Sequence, residues 1–332
     1  MAFCVAFEHI FYFQSGYPDS PFELGHTSLG YFAVNGFFII SGYLITGSAV
    51  RSGTLANFMR SRLLRIMPAL IVISFILGLI LVPLLGELDL KTYFSTGTVW
   101  LSMLGLITFI ESAPEWPGLI MAGNPFAGDL TGPIWTLRYE ALAYIGTGLL
   151  LLLGLHKSKL ITILAALAAT IAFIIDLQTG RLTEFSPAIA SLVRFGSCYL
   201  YGVWAYQSAS YLNIGWIAGL IGTAIGGLII VTGLPAGEVI FNIGLAPLIF
   251  AIAFAKVSAP DWLTPKTDFS YGLYIFHWPI YQLLYESFGG ANIFPLLLLA
   301  GLPLAFLAAG FSWYIIEKPA LKLKAATAIK PT

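Results

Sequence analysis

Apolar residues in this chain gather in long stretches, at about 30–48, 66–84, 133–154, 160–177, 188–207, 213–232, 239–256, 269–288 and 291–316. A helix rises 1.5 Å per residue, so about 20 mostly apolar residues cross a hydrocarbon core of about 30 Å. Each stretch therefore predicts a membrane-spanning helix. The first run, Met1 to Phe13, is too short to cross alone. It has neither a basic segment ahead of it nor a small-residue cleavage site, so it does not read as a signal peptide. It predicts the outer part of a first helix whose beginning is missing. The run 97–110 is also short and is followed by Pro114, Pro117, Gly118, Gly123, Pro125 and Gly128, which suits a re-entrant or interfacial helix. The expected fold is an all-α polytopic membrane bundle of about ten transmembrane helices, the first truncated at its N-terminus. It forms a single domain over 1–332.

Composition agrees with the pattern. Of 332 residues, 58% are hydrophobic and 10% charged, with a mean hydropathy of +0.87. Soluble domains carry roughly 25% charged residues. A cytosolic enzyme, a disordered chain and a secreted disulfide scaffold are excluded. The 16 basic and 16 acidic residues cancel, leaving no basic field for nucleic acid. Cys4 and Cys198 lie within apolar runs, and four dispersed histidines form no ligand pattern, so no metal site is expected.

Basic residues gather on the cytoplasmic side of membrane proteins. With the N-terminus inside, ten spans place only Lys91, Arg138, Arg181 and Arg194 outside or near the outer face. The other twelve of the 16, Lys256, Lys266 and Lys330 among them, fall inside. Crossing with 97–110 would reverse Lys157 and Lys159 and weaken this bias. Both termini are therefore expected in the cytoplasm, with the longest loop, about 85–132, outside and large enough to cover a site.

Ionisable groups within spans are costly and so mark candidate sites. His9, in FEHIFYF, lies about 7 Å below the outer end of its helix, and Glu140, in WTLRYEALAY, about 10 Å below the same face. Two such groups at similar depth read as a general base with an orienting acid, or as a polar pair holding two helices together. Arg60, Arg62 and Arg65 precede a span on the inner side, with Arg62 and Arg65 three residues apart on one helix face. They can grip a polyanion such as acyl-CoA, or simply enforce orientation and meet anionic lipid. AVNGFFIISGYLITGS carries Asn35, Ser41 and Gly42. Small residues there allow close helix packing, or a ligand chain running past the backbone. His277, about 12 Å above the inner face, reads as a channel-lining or a structural histidine, too deep to share a proton with His9. Glu317 and Lys318 read as a helix stop before Pro319. GxSxG, HExxH, Walker A and GxGxxG patterns are absent.

In this order the strings resemble the acyltransferase-3 family of integral-membrane acyltransferases, many of which O-acetylate glycans. FEHIFYF resembles its first-helix histidine block, and AVNGFFIISGYLIT its FF-x-x-SG-[FY]-LI block. Arg62 and Arg65 match RxxR. GPIWTLRYEALAY resembles the W-[ST]-L-x-x-E block, with Trp135 and Glu140 at its signature positions. SYGLYIFHWPIY, with Tyr271 and His277, is similar to SYxLYLxHWP, and Phe311 to Pro319 to the closing element. Family members usually carry a cation some ten residues before the first-helix histidine, a position that His9 leaves no room for.

The resemblance implies an acyltransferase of a bacterial-type inner membrane. It would move an acyl group, acetyl above all, from cytoplasmic acyl-CoA to a hydroxyl of a cell-surface, exported or lipid-linked sugar. His9 and Glu140 would be catalytic, Arg60, Arg62 and Arg65 would bind the donor, and Asn35, Ser41, Trp135, Tyr271 and His277 would line the passage. Acyl-CoA enters as substrate, with no resident cofactor. The rival reading is a proton-coupled transporter or lipid-glycan flippase, in which His9 and Glu140 relay protons.

Overall fold

The structure, a computed structural model, describes residues 1–15, 21–25, 27–111, 113–121, 123–208, 215–254, 267–289 and 293–324. Lys256, Lys266 and Lys330, counted above toward the inside charge, lie outside the described residues. The chain is all-helical, with no strand among the described residues. In order come α1 (Ala2–Ser15), α2 (Leu29–Ser52), α3 (Leu55–Leu85), α4 (Leu90–Ser95) and α5 (Gly97–Ile107). After a 3₁₀ turn (Gly132–Thr136) follow α6 (Leu137–Leu152), α7 (Lys159–Thr179), α8 (Arg181–Phe185) and α9 (Pro187–Ser208). The last are α10 (Trp216–Val231), α11 (Ala236–Ala253), α12 (Ser270–Phe288) and α13 (Ile293–Lys322).

Over its described residues, every predicted apolar stretch falls mainly on helix. Five of these, α2, α3, α7, α11 and α13, are long and apolar enough to cross a membrane. The chain is thus a multi-pass membrane protein, and five spans rather than ten meet this criterion. The other five fall short for two physical reasons: α1, α6 and α10 have only 14, 16 and 16 residues, while α9 and α12, with 22 and 19, carry polar side chains on buried faces, which lowers their mean hydropathy. Helix α5 has 11 residues, about 16 Å, and falls short of a span as the sequence suggests. Large apolar side chains such as Leu84, Leu228 and Ile252 stand more than 70% exposed, which suits lipid contact and not water.

The helices sort into two compact units. The first comprises Phe22–Met59 and Tyr139–Ala259, together with Met1. Its seam is α2 against α9. A Cβ on Gly42 would lie 2.0 Å from the Tyr199 carbonyl oxygen, and one on Gly202 1.9 Å from that of Ile39. The small residues of α2 are therefore explained by backbone-to-backbone packing. Beside this seam Tyr31 donates to Glu238 at 2.6 Å, and the Arg194 guanidinium lies 3.7 Å over the Tyr31 ring.

The second unit comprises Ala2–Pro21, Arg60–Arg138 and Pro260–Thr332. Ala6, Ile10 and Phe13 recur at helical spacing on α1 and pack with Leu273, Trp278 and Tyr281 of α12 and Leu297, Leu302 and Ala305 of α13. The described residues of 113–131 close over the C-terminal half of α12. Gln282 donates to the carbonyls of Phe126 (2.8 Å) and Asp129 (2.5 Å), and Asn124 donates to Gln282 at 2.5 Å.

Packing this close tolerates no added methyl. Gly202→Ala should destabilise the detergent-solubilised protein by about 1–3 kcal/mol, read as a lowered melting temperature. Gly146→Ala, where a Cβ would meet nothing within 4 Å, should leave it unchanged or slightly raised. Equal melting temperatures for the two variants would contradict the α2–α9 contact.

Candidate active site

The packing of α1 on α12 fixes the register of two histidines. The Tyr281 hydroxyl donates to the Ala6 carbonyl at 3.1 Å, locking one helix against the other at the level of the core. One turn along α1 this brings His9 Nδ1 to 2.8 Å from His277 Nε2. The other ring nitrogen of His277, Nδ1, lies 2.9 Å from the Leu273 carbonyl oxygen, and the ring is fully buried. A carbonyl only accepts, so His277 Nδ1 carries its proton and its Nε2 presents a lone pair. That lone pair accepts the Nδ1 proton of His9. His9 is thereby left with a bare Nε2, the nitrogen able to take a proton or attack a carbonyl carbon.

The sequence reading placed His277 too deep to reach His9, and the structure corrects this. Apolar runs locate helix ends only to within a turn or two. They also carry no information on tilt, so two depths counted from opposite faces accumulate both errors. Trp278 meets His9 edge-on, with ring centroids 4.9 Å apart, and its indole donates to the Asp129 carbonyl at 2.9 Å. A Cβ at residue 132 would come within 2.4 Å of the Trp278 ring, so only glycine fits at Gly132.

Roughly 14 Å back along α12 lies the basic cluster. Arg65 donates to Asp268 at 2.5 Å and to Glu317 at 3.1 Å, and the second Glu317 oxygen accepts from Ser312 at 2.8 Å. Glu317 is 1% exposed. It does not end its helix, because α13 continues to Lys322 through a π-helical turn at Trp313–Glu317. Its role as a helix stop is therefore replaced by that of a buried counter-ion for Arg65. The Tyr271 hydroxyl donates to the Ile66 carbonyl at 2.9 Å, pinning α12 to α3 beside this pair. Arg60 donates to the Leu323 carbonyl at 3.1 Å, and Arg62 to Ser61 at 3.3 Å.

The remaining candidates have surroundings of their own. Trp135 is 37% exposed on the 3₁₀ turn, whose Thr136 bonds the Tyr274 hydroxyl at 2.7 Å. In the first unit Glu140 is buried and its carboxylate accepts the Tyr144 hydroxyl. Asn35 donates to Asn242 at 3.1 Å, and Ser41 is buried. Sequence reasoning passed over Gln282, Glu238, Asn242 and Asp176, all polar, helical and buried. The criterion that singled out His9, an ionisable group within an apolar run, would have found Asp176; Gln282 and Asn242 are neutral, and Glu238 stands just before its run.

The acyltransferase domain family, of the acyltransferase-3 type, matches residues 1–316, and the chain belongs to it. The protein is accordingly an acyltransferase, which removes the ground for the transporter reading. Among relatives, an O-acetyl transferase of Shigella phage Sf6 is 28% identical over 313 residues, covering 92% of this chain and 89% of the relative. Nodulation protein 10 of Rhizobium leguminosarum bv. viciae is 26% identical over 310 residues, covering 87% and 81%. No solved structure matches the chain significantly.

The Arg65 network makes a stability prediction. Arg65→Ala leaves the Glu317 carboxylate buried without its cation and should cost roughly 3 kcal/mol. Adding Glu317→Gln should recover a measurable part of that loss in thermal melts. Additive losses in the double variant would show that the pair is not coupled.

Proposed function

We propose that the protein is an O-acyltransferase that moves an acetyl group from acetyl-CoA to a hydroxyl of a cell-surface, exported or lipid-linked sugar. The observation that carries this reading is the His9–His277 pair with its bare Nε2. The name of the phage relative and the family membership support the reaction class. The acceptor oxygen attacks the thioester carbonyl as His9 Nε2 takes the hydroxyl proton. The C–O bond forms, the C–S bond breaks, and the proton passes from His9 to the departing thiolate. His277 positions His9: by accepting the Nδ1 proton it fixes the tautomer and stabilises the imidazolium that forms, the service a carboxylate gives in serine hydrolases.

We place the enzyme in a bacterial-type inner membrane with about ten spans and both termini cytoplasmic. The donor enters at the basic end of α12. Arg65 already answers two carboxylates there, so Arg60 and Arg62 supply more of the contact to the CoA phosphates. Glu140 is expected to serve the reaction as a carboxylate.

The test uses purified protein in nanodiscs, [¹⁴C]acetyl-CoA and envelope glycans of the host as acceptor. His9→Ala should lower label transfer about 10²–10⁴-fold. His277→Ala should lower it less, and His277→Asn, which keeps an acceptor for the His9 proton, less again. Normal transfer by folded His9→Ala would end the proposal, and so would turnover that does not depend on acetyl-CoA.

A further inference from the structure

A polar cleft of about 400 Å³ opens in the segment that closes over α12, lined by Pro114, Glu115, Trp116, Leu119, Gly128 and Asp129. We propose that it binds a neutral pyranose ring of the acceptor, next to the base. This rests on the acyltransferase reading above and names the acceptor class for it.

Three observations converge. First, the lining has the chemistry a sugar uses: two carboxylates to accept hydroxyl protons, an indole N–H to donate, and apolar Pro114 and Leu119 for the C–H face. Second, the Trp116 N–H is 95% buried, because the residue is only 5% exposed, and it has no hydrogen-bond partner among the described residues. A buried unpaired donor is destabilising, and a ligand oxygen would remove that cost. The opposite edge of that ring packs toward Gly78, since a Cβ there would lie 3.3 Å from Trp116 Cζ3, so the N–H edge faces away from α3. Third, the cleft is tied to the base. The Asp129 carbonyl accepts the Trp278 indole proton, and the same indole meets His9 edge-on, so a single ring separates the cleft wall from His9.

Hydrogen bonds hold the backbone at Glu115 and the side chain at Asp129. Ser102 donates to the Glu115 carbonyl at 2.6 Å, and the Asp129 side chain accepts the Thr131 N–H at 2.8 Å. Burial pushes the Asp129 carboxyl above the usual range, with the Thr131 contacts opposing the shift. Two acidic groups in one small cleft repel a carboxylate or phosphate, so a neutral ring is selected over a uronic acid.

The test is saturation-transfer NMR on the full chain in nanodiscs free of glycoside detergent and without acetyl-CoA. The probes are the methyl glycosides of glucose, galactose, rhamnose and N-acetylglucosamine, with methyl glucuronide as the anionic counterpart. At least one neutral glycoside should show saturable transfer, and methyl glucuronide none. Glu115→Gln, a change at an exposed side chain that leaves the fold intact, should weaken the signal roughly tenfold, the worth of one charged hydrogen bond. Trp116→Phe should do the same. Absence of saturable binding by every neutral glycoside, equal binding of the glucuronide, or an unchanged signal in Glu115→Gln would overturn the proposal. Glycoside binding without transfer from acetyl-CoA would instead sink the donor reading and leave the cleft standing.

Discussion

A chain of three hydrogen-bonding groups organises the second unit: the Leu273 carbonyl, the ring of His277 and the ring of His9. Its direction is set at one end by a group that can only accept. The backbone carbonyl therefore dictates which nitrogen of each imidazole is protonated, and the last lone pair emerges at His9 Nε2. The arrangement depends on helix register. A slip of one residue between α1 and α12 would rotate His9 by about 100° off the shared face and break the chain. The apolar contacts of Ala6, Ile10 and Phe13 and the Tyr281 bond to Ala6 exist at the positions that prevent such a slip.

Helix α12 carries different chemistry along its length. Near its start are Arg65, Asp268, Glu317 and Tyr271; one third along is His277; beyond it Trp278 and Gln282 hold the segment 113–131 by its carbonyls. In our proposal donor and acceptor approach the base from these opposite ends, and neither has to pass the other. The Arg65 network also separates two jobs that a basic cluster can do. A guanidinium held by two carboxylates orders the helices around it, while in our proposal its neighbours on α3 meet the donor.

The positions of the helices were legible in the sequence because the hydrophobic requirement of a bilayer repeats over twenty residues and survives local exceptions. His9 was legible for the opposite reason, since a titratable group in an apolar run stands out. What the sequence could not supply was pairing between distant segments. His277 and Glu317 are 268 and 252 residues from the partners they bond, and nothing local in SYGLYIFHWPI or SWYIIEKPALK records those contacts. Depth counted in residues also failed for His277, where one turn of error from each face was enough to separate two rings that touch. The cleft at Glu115 and Asp129 was invisible because it is built from irregular backbone, where no periodicity operates.

The tautomer of His9 is the quantity on which the chemistry turns, and ¹⁵N NMR of histidine-labelled protein in bilayers reads it directly. The resonances can be assigned by loss of signals in His9→Gln and His277→Gln. The account predicts a protonated Nδ1 and an unprotonated, pyridine-type Nε2 on His9, with a through-hydrogen-bond coupling from His9 Nδ1 to His277 Nε2. A His9 ring protonated on Nε2, or no coupling between the two imidazoles, would contradict it.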